Sequence, residues 1–185
     1  MRIFIGISFN NNVLKYLKQS QELLLLNLKD SLKTPINNFH LTLVFIGELD
    51  LPSLNTVISK LNKKTYNISN FTIHLSNPNT FKNTKNHILY MDVTDKENNL
   101  ARLSKAIKDI LDFNHISYDK KPLKPHITLA KLTNASAVNN PPILPTYKPP
   151  ILIDSFTIFR SDRINGLLTY TPIKKIEFNK EKSND

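Results

Sequence analysis

The chain is predicted to fold as an α+β protein, a mainly antiparallel sheet with helices on its outer side. Three observations carry this expectation. Segments of alternating apolar residues and segments of helical spacing follow one another in the order strand, helix, strand, helix, strand, strand, helix, strand, strand, strand, which lacks the regular alternation of a parallel sheet. Two tetrapeptides of one pattern, HLTL at 40–43 and HITL at 126–129, stand one in each half of the 185 residues. That placement points to a degenerate internal duplication, hence to two lobes related by a pseudo-twofold axis around a central cleft. The last two strand segments meet around Asn165-Gly166, a dipeptide suited to a tight antiparallel turn.

Each element follows from local chemistry. Residues 2–9, RIFIGISF, alternate as a first strand. Asn10 to Asn12 offer capping side chains, and a helix is expected from there to about Asp30, with Leu14, Leu17, Leu24, Leu25 and Leu28 on its inner side. Pro35 breaks the chain before NFHLTLVFIGEL, a second strand ending near Gly47. Pro52 opens a short helix over 53–63. SNFTIHLS and NHILYMDV read as strands at about 69–75 and 86–93. Between Asp95 and Phe113, Leu100, Leu103, Ile107, Ile110 and Leu111 recur at helical spacing. PHITLAKL is a strand at 126–132. Residues 134–150 hold five of the eleven prolines and no periodicity, and are expected to form a loop. ILIDSFTIFRS and LLTYTPIKKIEF close the fold. Residues 1–178 thus read as one bilobal domain and 179–185, NKEKSND, as a frayed tail.

Composition narrows the function. There are no cysteines, which excludes disulfides and thiolate metal sites and fits a reducing compartment. No apolar run approaches the roughly 20 residues needed to span a bilayer. The start reads as a strand closed by asparagines, with no small-residue cleavage site after it, so a cytoplasmic protein is expected. The net charge of +10 favours a polyanionic partner, nucleic acid above all; a surface solvated by abundant lysines is the plain alternative.

Side chains alternate across a strand, so His40 and Thr42 share one face, with Leu41 and Leu43 on the other. His126 and Thr128 repeat the arrangement against Ile127 and Leu129. Set side by side, the two strands would converge two imidazoles and two hydroxyls on one concavity. Such a set suits an in-line displacement at phosphorus, one neutral imidazole taking a proton from the attacking oxygen and one protonated imidazole giving a proton to the leaving oxygen. Threonine hydroxyls can hold the non-bridging oxygens. A lone His-X-Thr is more often a surface or core pair; it is the matched recurrence that favours chemistry. A zinc site would need a third ligand, and no carboxylate or histidine stands at convincing spacing.

FHLTLVFIGEL and KPHITLAKL resemble the two His-X-Thr/Ser-X signatures of the 2H phosphoesterase superfamily. The nearer resemblance is to the RNA 2',3'-cyclic phosphodiesterases, also called LigT-like or 2'-5' RNA ligases. RIFIGISF is similar to that family's first strand, and SFTIFRSDRINGLLTYTPIKKIEF to its closing hairpin. The resemblance implies a bilobal LigT-like fold, hydrolysis of 2',3'-cyclic phosphate ends to 2'-phosphomonoesters, and, in some members, reversible 2'-5' joining of tRNA halves without ATP. It implies His40 as general acid, His126 as general base, and Thr42 and Thr128 as phosphate holders. The expected partner is RNA with a 2',3'-cyclic phosphate end, with no cofactor, no metal and no membrane, and the chain is expected to act as a monomer. Alternatives are a phosphodiesterase for 2'-5' oligoadenylate or small cyclic nucleotides, and an RNA-end-binding protein without turnover.

Further contacts are expected around this core. Lys131 stands where relatives often carry arginine, keeping the charge without the planar two-pronged donor. Arg160 shares parity with Phe156 and Ile158, and is read either as a phosphate contact or as the partner of Asp162. Tyr170 is read as a phosphate or base contact, or as packing in the closing hairpin. Phe9 and Phe45 are base-stacking candidates or core residues. His74, His87 and His115 have no partner motif and are read as structural or surface residues.

Overall fold

The computed structural model of the 185-residue chain describes residues 1–26, 31–64, 68–82, 87–132 and 144–178. In chain order its elements are β1 (Arg2–Ile7), α1 (Asn11–Leu24), β2 (Ser31–Lys33), β3 (Leu41–Glu48), α2 (Leu51–Lys64), β4 (Phe71–Lys82), β5 (His87–Thr94), α3 (Asn99–Phe113), β6 (His126–Leu132), β7 (Ile151–Ile153), β8 (Ser155–Ile164) and β9 (Leu167–Glu177), with a 3₁₀ turn at Ile36–Asn38. The α+β reading holds. The strands form a curled sheet in the order β7-β4-β5-β6-β3-β1-β8-β9, with β2 beside β6, and the pairings are antiparallel.

The lobes are not the two halves of the chain. One is β3, β1, β8 and β9, drawn from both ends; the other is β6, β5, β4 and β7, drawn from the middle. They meet where β3 and β6 pair at Leu41 and Ile127. Ile3, Ile5 and Ile7 of β1 are buried with Leu41 and Ile127 against Leu17, Leu61 and Ile107 of the three helices. Each such side chain contributes about 1.5–3 kcal/mol of hydrophobic stabilisation. The opposite face of the sheet is left for the cleft.

Asn10 caps α1 by accepting from Val13 N at 3.1 Å. The helix ends at Leu24, short of the expected Asp30, and residues 27–30, Leu28 among them, lie outside the described residues. Val13, Leu17 and Leu24 are its buried apolar residues, whereas Leu14 is half-buried. β4 runs on to Lys82 because pairing with β5 overrides the asparagines, and Pro78 sits at the irregularity of that ladder. The closing ILIDSFTIFRS segment divides at Asp154: β7 pairs with β4, whereas β8 pairs with β1. Asn165 and Gly166 have φ of 51° and 81°, the positive pair a two-residue I′ hairpin requires, as expected from the sequence. Of the proline-rich stretch, 133–143 lie outside the described residues, as does the tail 179–185. Among the described residues no helix is long and apolar enough to cross a membrane.

Two β-bulges repeat across the pseudo-twofold axis. Gly6 pairs with Thr42 but Ile5 with Val44, so Leu43 is the extra residue of β3. Tyr90 pairs with Thr128 but Leu89 with Ala130, so Leu129 is the extra residue of β6. Buried polar side chains on the helices reach the carbonyl of each extra residue, and Leu129 O also accepts from Thr34 N at 2.9 Å. Ser104 Oγ of α3 donates to Leu43 O at 2.9 Å, and Gln21 Nε2 of α1 donates to Leu129 O at 2.6 Å. The extra residue shifts parity, bringing Phe45 and Lys131, each three residues after its threonine, to the cleft face.

Candidate active site

The Leu41–Ile127 pair fixes how the two motifs meet. In an antiparallel ladder the neighbours of a pair face each other crosswise, so His40 lies across from Thr128 and Thr42 across from His126. The two imidazoles are then diagonal neighbours on one face, about 7–8 Å apart at the backbone. Longer side chains can close on a phosphoryl group from that separation.

Both rings are oriented in one way. His40 Nδ1 lies 2.7 Å from Asn38 O, and His126 Nδ1 lies 2.7 Å from Lys124 O. A carbonyl only accepts, so each Nδ1 carries the proton and each Nε2 is the unprotonated nitrogen of a neutral ring. Thr42 Oγ1 is 2.9 Å from His40 Nε2 and donates its hydroxyl to it.

The surroundings of the rings differ. His40 packs on Phe4 at 4.8 Å and against the Tyr170 ring at 4.9 Å, with Phe159 at 6.2 Å. Burial among these aromatics lowers its pKa from 6.5 to about 4; the Asn38 carbonyl opposes the shift, and the nearby His126 adds to it. His40 is therefore neutral in the empty cleft at pH 7. His126 stands edge-on to Phe81 at 5.6 Å and Tyr90 at 5.4 Å, and Lys124 Nζ lies 5.1 and 5.2 Å from those two rings. Burial pushes the Tyr170 hydroxyl above its ordinary range, which keeps it a neutral donor.

Two adjoining cavities, about 380 and 350 Å³, share His40, Thr42, Lys131, Arg163, Leu168 and Tyr170 and so form one cleft. The first is walled by Arg2, Phe4, Phe45, Ser161 and Asp162. The second, with Leu32, Pro35, Phe81, Ile88 and Thr128, is largely apolar. A larger hollow of about 730 Å³ lies between the start of β4 and the start of α3; it holds His74 but none of the expected site residues.

Of those residues, His40, Thr42, Thr128, Lys131 and Tyr170 line the cleft, and His126 flanks it beside Phe81. Arg160 is not brought there. It pairs with Ile3 of β1, so alternation puts it on the face of Ile3 and Ile158, and its Nε makes an ion pair with Asp162 at 2.5 Å without hydrogen-bond alignment. Phe9 is in the core, whereas Phe45 faces the cleft with the Arg2 guanidinium 4.9 Å above its ring. Among the described residues no three His, Cys, Asp or Glu side chains are grouped to hold a metal ion. Arg2, Asn38, Phe81 and Arg163 went unread. Arg163 carried a parity signal, being opposite to Arg160 on β8; Asn38 carried none beyond standing two residues before His40.

Residues 3–182 match the model of the AKAP7 2'5' RNA ligase-like domain. The chain is 24% identical over 132 residues to an RNA 2',3'-cyclic phosphodiesterase of Thermotoga maritima, covering 71% of this chain and 70% of that protein. It is 25% identical over 143 residues to the Escherichia coli RNA 2',3'-cyclic phosphodiesterase, covering 75% of each. Its fold superposes on the crystal structure of E. coli LigT complexed with 3'-AMP with a TM-score of 0.80 at 17% identity, over 97% of this chain and 98% of that one.

Proposed function

We propose that this chain, which belongs to the AKAP7 2'5' RNA ligase-like family of 2H phosphoesterases, hydrolyses 2',3'-cyclic phosphate ends of RNA to 2'-phosphomonoesters. The observation that carries the reading is the matched pair of imidazoles, each donating Nδ1–H to a main-chain carbonyl and so keeping Nε2 as the nitrogen that can take up a proton. The relatives named RNA 2',3'-cyclic phosphodiesterase support the choice of substrate.

In the proposed step a water oxygen bonds to phosphorus and the P–O3' bond breaks. The water proton passes to His126 Nε2, the departing 3'-oxygen takes a proton from His40 Nε2, and the P–O2' bond remains. Thr42 and Thr128 donate to the non-bridging oxygens, with Lys131 and the neutral Tyr170 hydroxyl beside them. The apolar cavity suits a base, and the Arg2 side suits the preceding phosphate of an RNA strand. Thr42 spends its hydroxyl on His40 while the cleft is empty, so it must turn when phosphate arrives. The phosphodiester anion between the rings supplies the opposite charge that lets His40 gain its proton.

The lowered pKa of His40 favours a second division of labour, in which His40 takes the water proton and His126 protonates O3'. A substrate with sulfur in the 3'-bridging position separates the two, because a thiolate leaves without an acid. It restores the rate of whichever histidine variant has lost the acid. The function itself is tested with RNA bearing a 2',3'-cyclic phosphate: a 2'-phosphate product is expected, and no turnover, or a 3'-phosphate product, refutes the reading.

A further inference from the structure

Among the described residues the outer edge of β9 has no strand beside it, yet two of its main-chain groups are paired. Asn38 Nδ2 donates to Leu168 O at 2.7 Å, and Tyr170 N donates to Asn38 Oδ1 at 3.1 Å. One carboxamide thus answers an outward carbonyl and the outward N–H two residues on, as a neighbouring strand would. Asn38 is buried, and it ends the 3₁₀ turn through its N–H bond to Pro35 O at 2.9 Å. The same residue's main-chain oxygen accepts from His40 Nδ1.

We propose that Asn38 is a positioning residue: its side chain pins the turn before β3 to the edge of β9, and so holds its own carbonyl where it fixes the His40 ring with Nε2 toward the cleft. The kinetic part of this inference rests on the function proposed above; the structural part does not. His126 has the same kind of carbonyl partner in Lys124 O, but among the described residues no hydrogen bond ties Lys124 to β9. Loss of the Asn38 side chain therefore acts on one ring and spares the other. The intact Asn38 side chain also couples the two walls of the cleft, because Leu168 and Tyr170 line it from β9 while His40 lines it from just before β3.

The test compares the full chain with Asn38→Ala by two-bond ¹H–¹⁵N spectroscopy of the histidine rings at pH 7, after circular dichroism has shown the variant folded. His40 of the parent chain is expected in the Nδ1–H form alone. In Asn38→Ala it should become a mixture of both tautomers, with His126 unchanged. On RNA ending in a 2',3'-cyclic phosphate, kcat should fall about 10- to 100-fold, the range met when the group orienting a working imidazole is lost. KM should stay within about threefold, since a transition-state interaction is removed rather than uniform binding. A folded Asn38→Ala with a pure Nδ1–H His40 ring overturns the proposal, as does an equal change in both histidines. If Asn38→Ala does not fold, Asn38→Asp takes its place; it keeps the acceptor for Tyr170 N–H and sets a carboxylate oxygen against Leu168 O, and the same ring readout decides. Should the parent chain not turn over the RNA, the proposed function falls while the tautomer comparison still judges Asn38.

Discussion

Acidification is expected to destabilise the fold through His40 in particular. The ring titrates at about 6.5 in an unfolded chain and at about 4 in the cleft, so between those values the unfolded state binds the extra proton. The contribution of the neutral ring is thus whole above pH 6.5, declines as the pH falls, and is exhausted near pH 4. Over the full span it amounts to roughly 3 kcal/mol, and between pH 7 and pH 5 to about 2 kcal/mol. For a chain of this size the latter lowers the melting temperature by about 4–8 °C. Carboxylates also begin to titrate at pH 5, so the measurement is a difference between the parent chain and His40→Gln, which cannot take up the proton. Urea unfolding is followed by circular dichroism, since the chain has no tryptophan. The parent chain should lose about 2 kcal/mol more than the variant between pH 7 and pH 5. If the two stability curves run parallel across that interval, burial among Phe4, Phe159 and Tyr170 does not hold His40 neutral, and the coupling of protonation to phosphate binding fails with it.

Other outcomes follow from particular contacts. His126→Ala should lower kcat for the cyclic-phosphate RNA by about 10²- to 10⁴-fold while leaving the melting curve in place; turnover within tenfold of the parent would remove it from the mechanism. Gly6→Ala sets a Cβ 2.8 Å from Leu41 O, a main-chain atom that cannot step aside, and should cost about 1–3 kcal/mol in urea unfolding. Gln21→Leu removes one donor from the Leu129 carbonyl, which keeps its bond from Thr34 N, and should cost about 0.5–1.5 kcal/mol by the same assay, with added loss at Lys131 seen as a raised KM. Chelation of divalent cations should leave the rate unchanged, because the proposed step uses only imidazole, hydroxyl and amine groups; strong inhibition would count against it.

The His-X-Thr strands were legible because alternation needs only a local pattern, and the Leu41–Ile127 register then brings the two faces together. The Asn165-Gly166 turn was legible for the same reason, its positive φ pair being a property of those two residues. What escaped reading depends on distant partners. β2 and the 3₁₀ turn are three residues each, too short for any periodicity, and β2 exists through its pairing with β6. The bulges at Leu43 and Leu129 depend on Ser104 and Gln21, which stand 61 and 108 residues away, so the parity of Phe45 and Lys131 cannot be counted from the motifs. Arg160 was read either as a phosphate contact or as the partner of Asp162; the pairing with Ile3 turns it away from the cleft, and the ion pair with Asp162 is the alternative that forms. The neutral state of His40 needs three rings that arrive on β1, β8 and β9.

The paired bulges make the cleft adjustable from behind. The imidazoles and hydroxyls precede the extra residue in each strand, so they keep their aim whether or not it is present. Phe45 and Lys131 follow it, and deleting Leu43 or Leu129 would swing one of them round to the helices. Proton transfer and recognition of the rest of the ligand are therefore separable along a single strand. A lineage could exchange what it recognises by altering two buried polar side chains in the outer layer, without touching the four residues proposed to meet the phosphorus.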